Sequence, residues 1–348
     1  MAHEIVRDRE APLSAVIAGC GWFGGVHRDR LAHLPGVELV GVCDPDPTAM
    51  SKMLSQGTGS STGNVVTTTS YDQLLDLAPD FVCICTPNPF HVPQILAALK
   101  RGIHVLCEKP LSLDPEEALQ VVTAAGESGL LVAVSYQSRY RRAARLLKAA
   151  IDSGRCGRVT SVTLYASENW VTPNVGTWRH DPEKCPGGYF GDANGHQIDA
   201  TLWMTGLHAT EVRAETHGRG TPVPIYTMGE ARLAGPHACP AARASFAFVG
   251  DARMWREEIA IQTEALDFVM RDGSLLFSDG SKRLEPYDGS ANAPAPVESS
   301  DEPDEAFVAA LRGGPAVLSP PESVLPVIRF TQAALTSART GADWTPAG

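Results

Sequence analysis

The sequence predicts a two-domain α/β protein: a parallel sheet with crossover helices, then a domain built on a large open, mainly antiparallel sheet. Three observations carry that expectation. Residues 13–137 repeat a strand-then-helix rhythm, the pattern of βαβ units. Beyond residue 137, alternating runs follow one another with few long helices, as in antiparallel strands with one covered face. The chain has 348 residues, too many for one ordinary core at roughly 150 residues per domain.

The elements follow in order. Residues 1–12 (MAHEIVRDREAP) form a polar arm without the basic start and apolar stretch of a secretory leader, which points to a cytoplasmic chain. SAVIAG (14–19) is the first strand and FGGVHRDRLAHL (23–34) a helix; after Pro35-Gly36, VELVGVCD (37–44) is the second strand. The Ser/Thr/Gly-rich stretch 51–70 reads as a surface connection in which Val65 and Val66 seed a short strand. DFVCICT (80–86) is a strand, 91–102 a helix closed by Gly102, and IHVLCEKP (103–110) a strand that stops at proline. Asp114 as N-cap, Pro115 at the first helical position and Glu117 two residues later predict a capping box. LVAVSY (131–136) closes the sheet. A basic helix spans 139–154, with Arg139, Arg141 and Arg142 on its solvated face, and leads into an alternating strand at 157–166. Strand-like runs continue from about 210 to 287, residues 288–305 read as an acidic Pro/Ala/Ser loop, and the last helix covers about 322–340.

Composition sets several function classes aside. A formal charge of −11 and a pI near 5.4 argue against nucleic-acid or anionic-membrane partners. No apolar run approaches the roughly 20 residues that span a bilayer. The eight cysteines form no CxxC pair, and those at 20, 43, 83, 85 and 107 fall in or beside apolar strands, where a thiol behaves as a small buried hydrophobe. No metal is expected.

Two stretches carry chemistry. GCGWFG (19–24) is a G-x-G-x-x-G placed after a strand and before a helix, with an acid, Asp44, at the end of the next strand. Gly19, Gly21 and Gly24 let backbone amides and the helix N-terminus approach a pyrophosphate. A carboxylate at 44 can accept from both ribose hydroxyls and would repel a 2′-phosphate, so NAD is favoured over NADP. The second stretch, DANGHQID (192–199), spaces Asp192, His196 and Asp199 four and three residues apart, on one face of a helix. Spacing alone leaves three readings open: metal ligands, a proton-transfer pair, or capping polar residues.

Together these stretches resemble the family of glucose–fructose oxidoreductase and inositol dehydrogenase (Gfo/Idh/MocA). The resemblance runs in order through GCGWFG…HRDRLAHLPGVELVGVCD, CTPNPFHVPQILAALKRGIHVLCEKPL and W-R…GGYFGDANGHQID…WMTG, over residues 14–206. It implies a Rossmann NAD-binding domain at 13–137, a substrate-binding and oligomerisation α/β domain at 138–348, and an active site between them. It implies cofactor contacts from Gly19, Gly21, Trp22, Phe23, Gly24 and Asp44, from Thr86, Pro87, Asn88 and His91, and from Glu108, Lys109 and Gln137. Lys109, Asp192 and His196 become the catalytic residues, and they contact substrate together with Tyr136, Trp178 and Arg179. The chain departs from the family pattern where three glycines often precede this helix, having only Gly187 and Gly188, and where Asn194 replaces a glycine two before the histidine.

The chemistry asks for these residue types. Moving a hydride off a secondary alcohol requires its hydroxyl proton to leave as well, and a base tuned near neutrality assists by about 10²–10⁴-fold. Imidazole suits that role, so His196 is the expected base. Lys109 can hold the alcohol oxygen and depress the histidine's pKa, while Asp192 can orient His196 or accept from a substrate hydroxyl. The expected function is NAD-dependent oxidoreduction of a secondary hydroxyl or ketone of a sugar, sugar derivative or cyclitol. The alternatives are NAD-dependent glycoside cleavage through transient oxidation and a non-catalytic NAD-binding regulator. Expected partners are a small polyhydroxylated substrate and further copies of the chain, as a homodimer or homotetramer through the C-terminal sheet.

Overall fold

A computed structural model describes residues 12–57, 65–280, 284–287 and 302–348; the N-terminal arm and most of the acidic loop fall outside the described residues. The chain divides into two compact units that interleave in sequence. The first takes residues up to Glu108, then Gln120–Ser135 and Glu302–Pro321; the second takes Lys109–Leu119, Tyr136–Asp301 and Glu322–Gly348. Residues 302–321 thus pack with the first unit, where a single boundary after residue 137 would place them in the second.

In the first unit, β1 (Leu13–Ala18), β2 (Val37–Cys43), β3 (Val66–Thr68), β4 (Phe81–Ile84), β5 (His104–Cys107) and β6 (Val132–Val134) form one parallel sheet in the order β3-β2-β1-β4-β5-β6. The order reverses at β1 and β4, which in doubly wound sheets opens a crevice at the carboxyl ends of those strands. Residues Phe81–Ile84 are wholly buried, as expected of a strand covered on both faces. The expected acidic loop ends early, at a helix Pro303–Leu311. Its start was legible: a proline in the first turn is followed by Asp304 and Glu305, which favour the positive end of the helix dipole. Phe307 of this helix meets Phe81 edge to face at 5.4 Å, inside the sheet's core.

The second unit holds β7 (Val159–Asn169), β8 (His208–His217), β9 (Tyr226–Ala234), β10 (Ala238–Val249), β11 (Asp251–Thr263), β12 (Asp267–Arg271), β13 (Ser274–Ser278), β14 (Glu285–Pro286) and β15 (Thr345–Pro346). They form one sheet, β14-β13-β12-β11-β7-β10-β9-β8-β15, antiparallel except for the β7–β10 pair. Burial alternates along β7, with Val162, Leu164 and Ala166 turned to the covered face. Helices Gly195–Thr205 and Leu325–Thr340 pack on that face, where Phe330 meets Phe246 at 5.3 Å.

Three local expectations need correction. Asp114 caps the helix as expected, its Oδ1 accepting from the Glu116 amide at 2.9 Å, but the reciprocal half of the box runs through Ser112: the Asp114 amide donates to Ser112 Oγ at 3.0 Å, and that hydroxyl donates to Glu117 Oε2 at 2.6 Å. The predicted basic helix begins as a short 3₁₀ turn, Gln137–Tyr140, and becomes α-helical only over Arg142–Asp152. Arg139 is therefore not on a solvated face. It is 1% exposed and donates twice to Asp199, at 2.8 and 2.6 Å, so the pair is internal bracing for helix Gly195–Thr205. Among the described residues, no helix is long and apolar enough to cross a membrane.

Candidate functional site

The glycine loop lies in the first unit, between β1 and the helix Trp22–His33. Gly19 has φ +95°, and a Cβ there would meet the backbone of Cys85 at 2.6 Å and of Thr86 at 2.8 Å. Gly24 is equally constrained, since a Cβ would fall 2.1 Å from Gly19 O. Gly21 differs: a Cβ would meet nothing within 4 Å, so no packing demands a glycine there. The helix that follows has no side-chain cap and no acid in its first turn. Open backbone amides, a positive dipole end and free space at Gly21 fit a bound pyrophosphate. Trp22 is 82% exposed at the loop's tip, and Phe23 is half-buried. Asp44 Oδ2 accepts from the Cys20 amide at 2.8 Å and Oδ1 from the Asp46 amide at 2.9 Å, which fixes the carboxylate and still leaves lone pairs for ribose hydroxyls. A cleft of about 600 Å³ opens here, lined by Gly21, Trp22, Asp46, Thr48 and Lys52 among others.

Thr86, Pro87, Asn88 and His91 follow β4 into a 3₁₀ turn and the helix His91–Lys100. His91 Nε2 donates to Thr86 O at 2.8 Å, and Thr86 Oγ1 donates to Gln94 at 2.7 Å, so the turn is braced from within. Asn88 is buried, and among the described residues its side-chain amide nitrogen has no partner, the kind of orphan donor that a ligand would satisfy.

The other predicted residues assemble in the second unit. Lys109 and Asp192 are buried at 6% and 3% exposure. Lys109 Nζ donates to Asp192 O at 2.8 Å and to Oδ1 at 3.1 Å, and Arg179 Nε donates to Oδ2 at 2.7 Å. Burial alone would raise the Asp192 pKa, but Lys109 and Arg179 outweigh it and hold the carboxyl at about 2. The Arg179 guanidinium also stacks over Trp178 at 4.5 Å. Asp192 is not an N-cap and does not share one regular helix with His196. It ends the short helix Gly188–Asp192, and His196 sits in the first turn of Gly195–Thr205. Ala193 and Asn194 between them keep right-handed backbone angles, so the two side chains still converge. Burial, then Lys109 and Arg141, push the His196 pKa well below its usual value against the pull of Asp192. The imidazole is neutral and can accept a proton. Tyr136, 1% exposed, braces it edge to face with ring centroids 5.9 Å apart; Gln137 begins the 3₁₀ turn that follows.

Glu108 takes a place that sequence spacing did not foresee. Its carboxylate lies 3.1 Å from His27 Nε2, while His27 Nδ1 is 2.5 Å from Asp304, all buried within the first unit. Burial disfavours charge on His27, but Asp304 outweighs it and raises the imidazole pKa well above its usual value. His27, Cys83 and Asp304 bring ligand-type atoms within 4.8 Å of one another. The 2.5 Å contact between His27 and Asp304 is a hydrogen bond, and burial raises the Cys83 thiol pKa well above its usual value.

Residues 13–136 match a family model described as "Oxidoreductase family, NAD-binding Rossmann fold", and residues 144–252 match the "GFO/IDH/MocA C-terminal domain". The chain is 29% identical over 202 residues to the D-glucoside 3-dehydrogenase of Escherichia coli K12, covering 58% of this chain and 56% of that one. It is 30% identical over 216 residues to inositol 2-dehydrogenase 4 of Saccharopolyspora erythraea, covering 60% and 58%. The chain thus spans about half the length of the curated relatives it matches. Its fold matches that of an inositol dehydrogenase homolog from Azotobacter vinelandii complexed with NAD+, with a TM-score of 0.78 at 19% identity over 97% of each chain. It also matches that of a levoglucosan dehydrogenase in complex with NADH and levoglucosan, with a TM-score of 0.79 at 20% identity over 97% of this chain and 99% of that one.

Proposed function

This chain belongs to the Gfo/Idh/MocA family of oxidoreductases, and from that premise we propose that it oxidises a secondary hydroxyl of a sugar or cyclitol, or reduces the matching ketone, with NAD. The observation that carries this reading is the Lys109–Asp192–His196 cluster, in which a neutral imidazole stands beside a buried ammonium. NAD, when bound on the glycine loop, supplies the hydride acceptor. His196 takes the hydroxyl proton, for which it must be unprotonated at neutral pH. Lys109 donates to the substrate oxygen and stabilises the negative charge that develops as the proton leaves. Asp192 keeps Lys109 in place, and its low pKa holds it as an anion throughout. Asp44 favours NAD, because its carboxylate would repel a 2′-phosphate.

The test is a panel of sugars and cyclitols offered with NAD and with NADP, followed by absorbance of the reduced cofactor. The reading expects turnover with NAD on at least one polyol. Full activity in Lys109→Ala or His196→Ala on that best substrate would overturn the assigned roles.

A further inference from the structure

The family resemblance implies a substrate contact at Arg179, yet the partner this side chain holds is a member of the catalytic cluster. Arg179 sits in a short 3₁₀ turn, Trp178–His180, between β7 and the helix Gly188–Asp192. The turn is anchored on both sides of the arginine. Thr177 Oγ1 accepts from the Arg179 amide at 3.3 Å, and the His180 ring packs against buried Trp170 with centroids 5.6 Å apart. The guanidinium lies over the Trp178 ring, which sets its plane. From there Nε donates to Asp192 Oδ2 at 2.7 Å, at the short and strong end for a charge-assisted bond. The Arg179 side chain is 24% exposed and that of Asp192 3%, so the arginine grips the carboxylate from the solvent side.

Lys109 grips the same residue from within. An ammonium has three hydrogens to donate. Lys109 directs two of them to Asp192, one to the backbone oxygen at 2.8 Å and one to Oδ1 at 3.1 Å. Among the described residues the third has no partner, and the proposed reaction needs it for the substrate oxygen. Nothing in the Asp192 side chain itself protects that hydrogen, because the torsion that turns a carboxylate is broad and roughly two-fold. A carboxylate free to turn beside a buried ammonium would bring its second oxygen round as well, since neither group has water to answer its charge. The bond from Arg179 to Oδ2 opposes that rotation.

We propose that Arg179 is a positioning residue: by holding Oδ2 of Asp192 it stops the carboxylate from engaging Lys109 through both oxygens, and so reserves one ammonium hydrogen for the substrate oxygen. The proposal rests on the oxidoreductase reading for the role of Lys109. Arg179 acts through Asp192 and touches neither the reacting oxygen nor the hydride acceptor.

The test compares the wild type with Arg179→Gln, Arg179→Lys, Asp192→Asn and the double variant Arg179→Gln/Asp192→Asn, as full chains with NAD and the best polyol. Arg179→Gln lowers kcat by about 10–100-fold, less than the roughly 10²–10³-fold that complete loss of a donor to a developing oxyanion costs, while KM stays within about threefold. Arg179→Lys, which can still donate to Oδ2, recovers part of the rate. In the Asp192→Asn background, Arg179→Gln changes kcat by less than about threefold, because the group it acts through is already gone. A rise in KM with kcat unchanged would make Arg179 a substrate contact and overturn the proposal, as would rate losses that multiply in the double variant. A crystal structure of Arg179→Gln gives a readout free of turnover: both Asp192 carboxylate oxygens lie within hydrogen-bond distance of Lys109 Nζ, and an Oδ2 still turned away from it overturns the proposal. A merely structural Arg179 would lower the denaturation midpoint and leave both kcat and the carboxylate as they are, which also counts against it. If the wild type oxidises no polyol, the oxidoreductase reading fails, and the variant's crystal structure still decides whether Arg179 sets the carboxylate.

Discussion

Each unit of the molecule holds a histidine among charged partners, and the two are driven in opposite directions. His27 lies with carboxylates at both ring nitrogens and is held as a cation. His196 lies near Lys109 and Arg141 and is held neutral. Burial disfavours charge on both rings, so desolvation cannot explain the difference; the sign of the nearest charges does. Chain neighbours supply both environments, since Glu108 turns to His27 and Lys109 to Asp192. The contrast separates two jobs that look alike in sequence. A histidine with both nitrogens engaged and its proton fixed ties elements together, here the helix Trp22–His33, the end of β5 and the helix Pro303–Leu311. A histidine kept neutral beside a fixed cation can accept a proton.

The contrast breaks if either histidine can do the other's work. The largest expected effect is on rate: His196→Ala lowers kcat by about 10²–10⁴-fold, the usual contribution of a positioned base, while the denaturation midpoint moves little. Steady-state assays beside urea titrations check both halves, and a variant that loses stability but keeps its rate would assign His196 to structure. The next effect runs the other way. Asp304→Asn leaves the His27 imidazolium without its closest counter-charge, and breaking a buried pair costs about 3–5 kcal/mol. Denaturant unfolding reads that loss, and the fraction that stays folded should keep its kcat. A fall in kcat with unchanged stability would move the His27 group into the catalytic machinery.

How much of this was visible in the chain follows the range of each interaction. The glycine loop and Asp44 were legible because their constraints are local: a turn, an uncapped helix and an acid at the next strand end. The convergence of Asp192 and His196 was also legible, although the regular helix assumed for it was not, because four-residue spacing survives a short irregular link. Arg139 was misjudged for a physical reason. Its partner, Asp199, is 60 residues away, and nothing near an arginine in sequence says that a buried carboxylate awaits it. The His27 group was out of reach for the same reason, since Asp304 is 277 residues on and arrives on a helix that composition concealed inside an acidic loop. One clue was present there: proline followed by two acids is a helix start, and reading it would have placed Phe307 in the core.

The smallest expected effect is the most specific, because the two histidines should give pH dependences of opposite sign. The folded-state pKa of His27 is raised above the unfolded value of about 6.5. Its contribution to stability is therefore complete below that value and is lost as pH rises through the folded pKa. The folded-state pKa of His196 is lowered, so below about pH 6.5 the unfolded chain takes up a proton that the folded chain refuses, and stability falls with pH. Above that value His196 contributes no slope. Each group can tilt stability by at most about 1.4 kcal/mol per pH unit, so the measurement needs matched variants rather than absolute curves. Relative to wild type, His27→Gln should lose part of its deficit as pH is raised above about 6.5, and His196→Gln should gain stability as pH is lowered below it. Unfolding midpoints for the three proteins across that range decide the matter. Two differences of the same sign would mean that one histidine has been given the wrong protonation state, and the His196 curve would show whether the base is the one at fault.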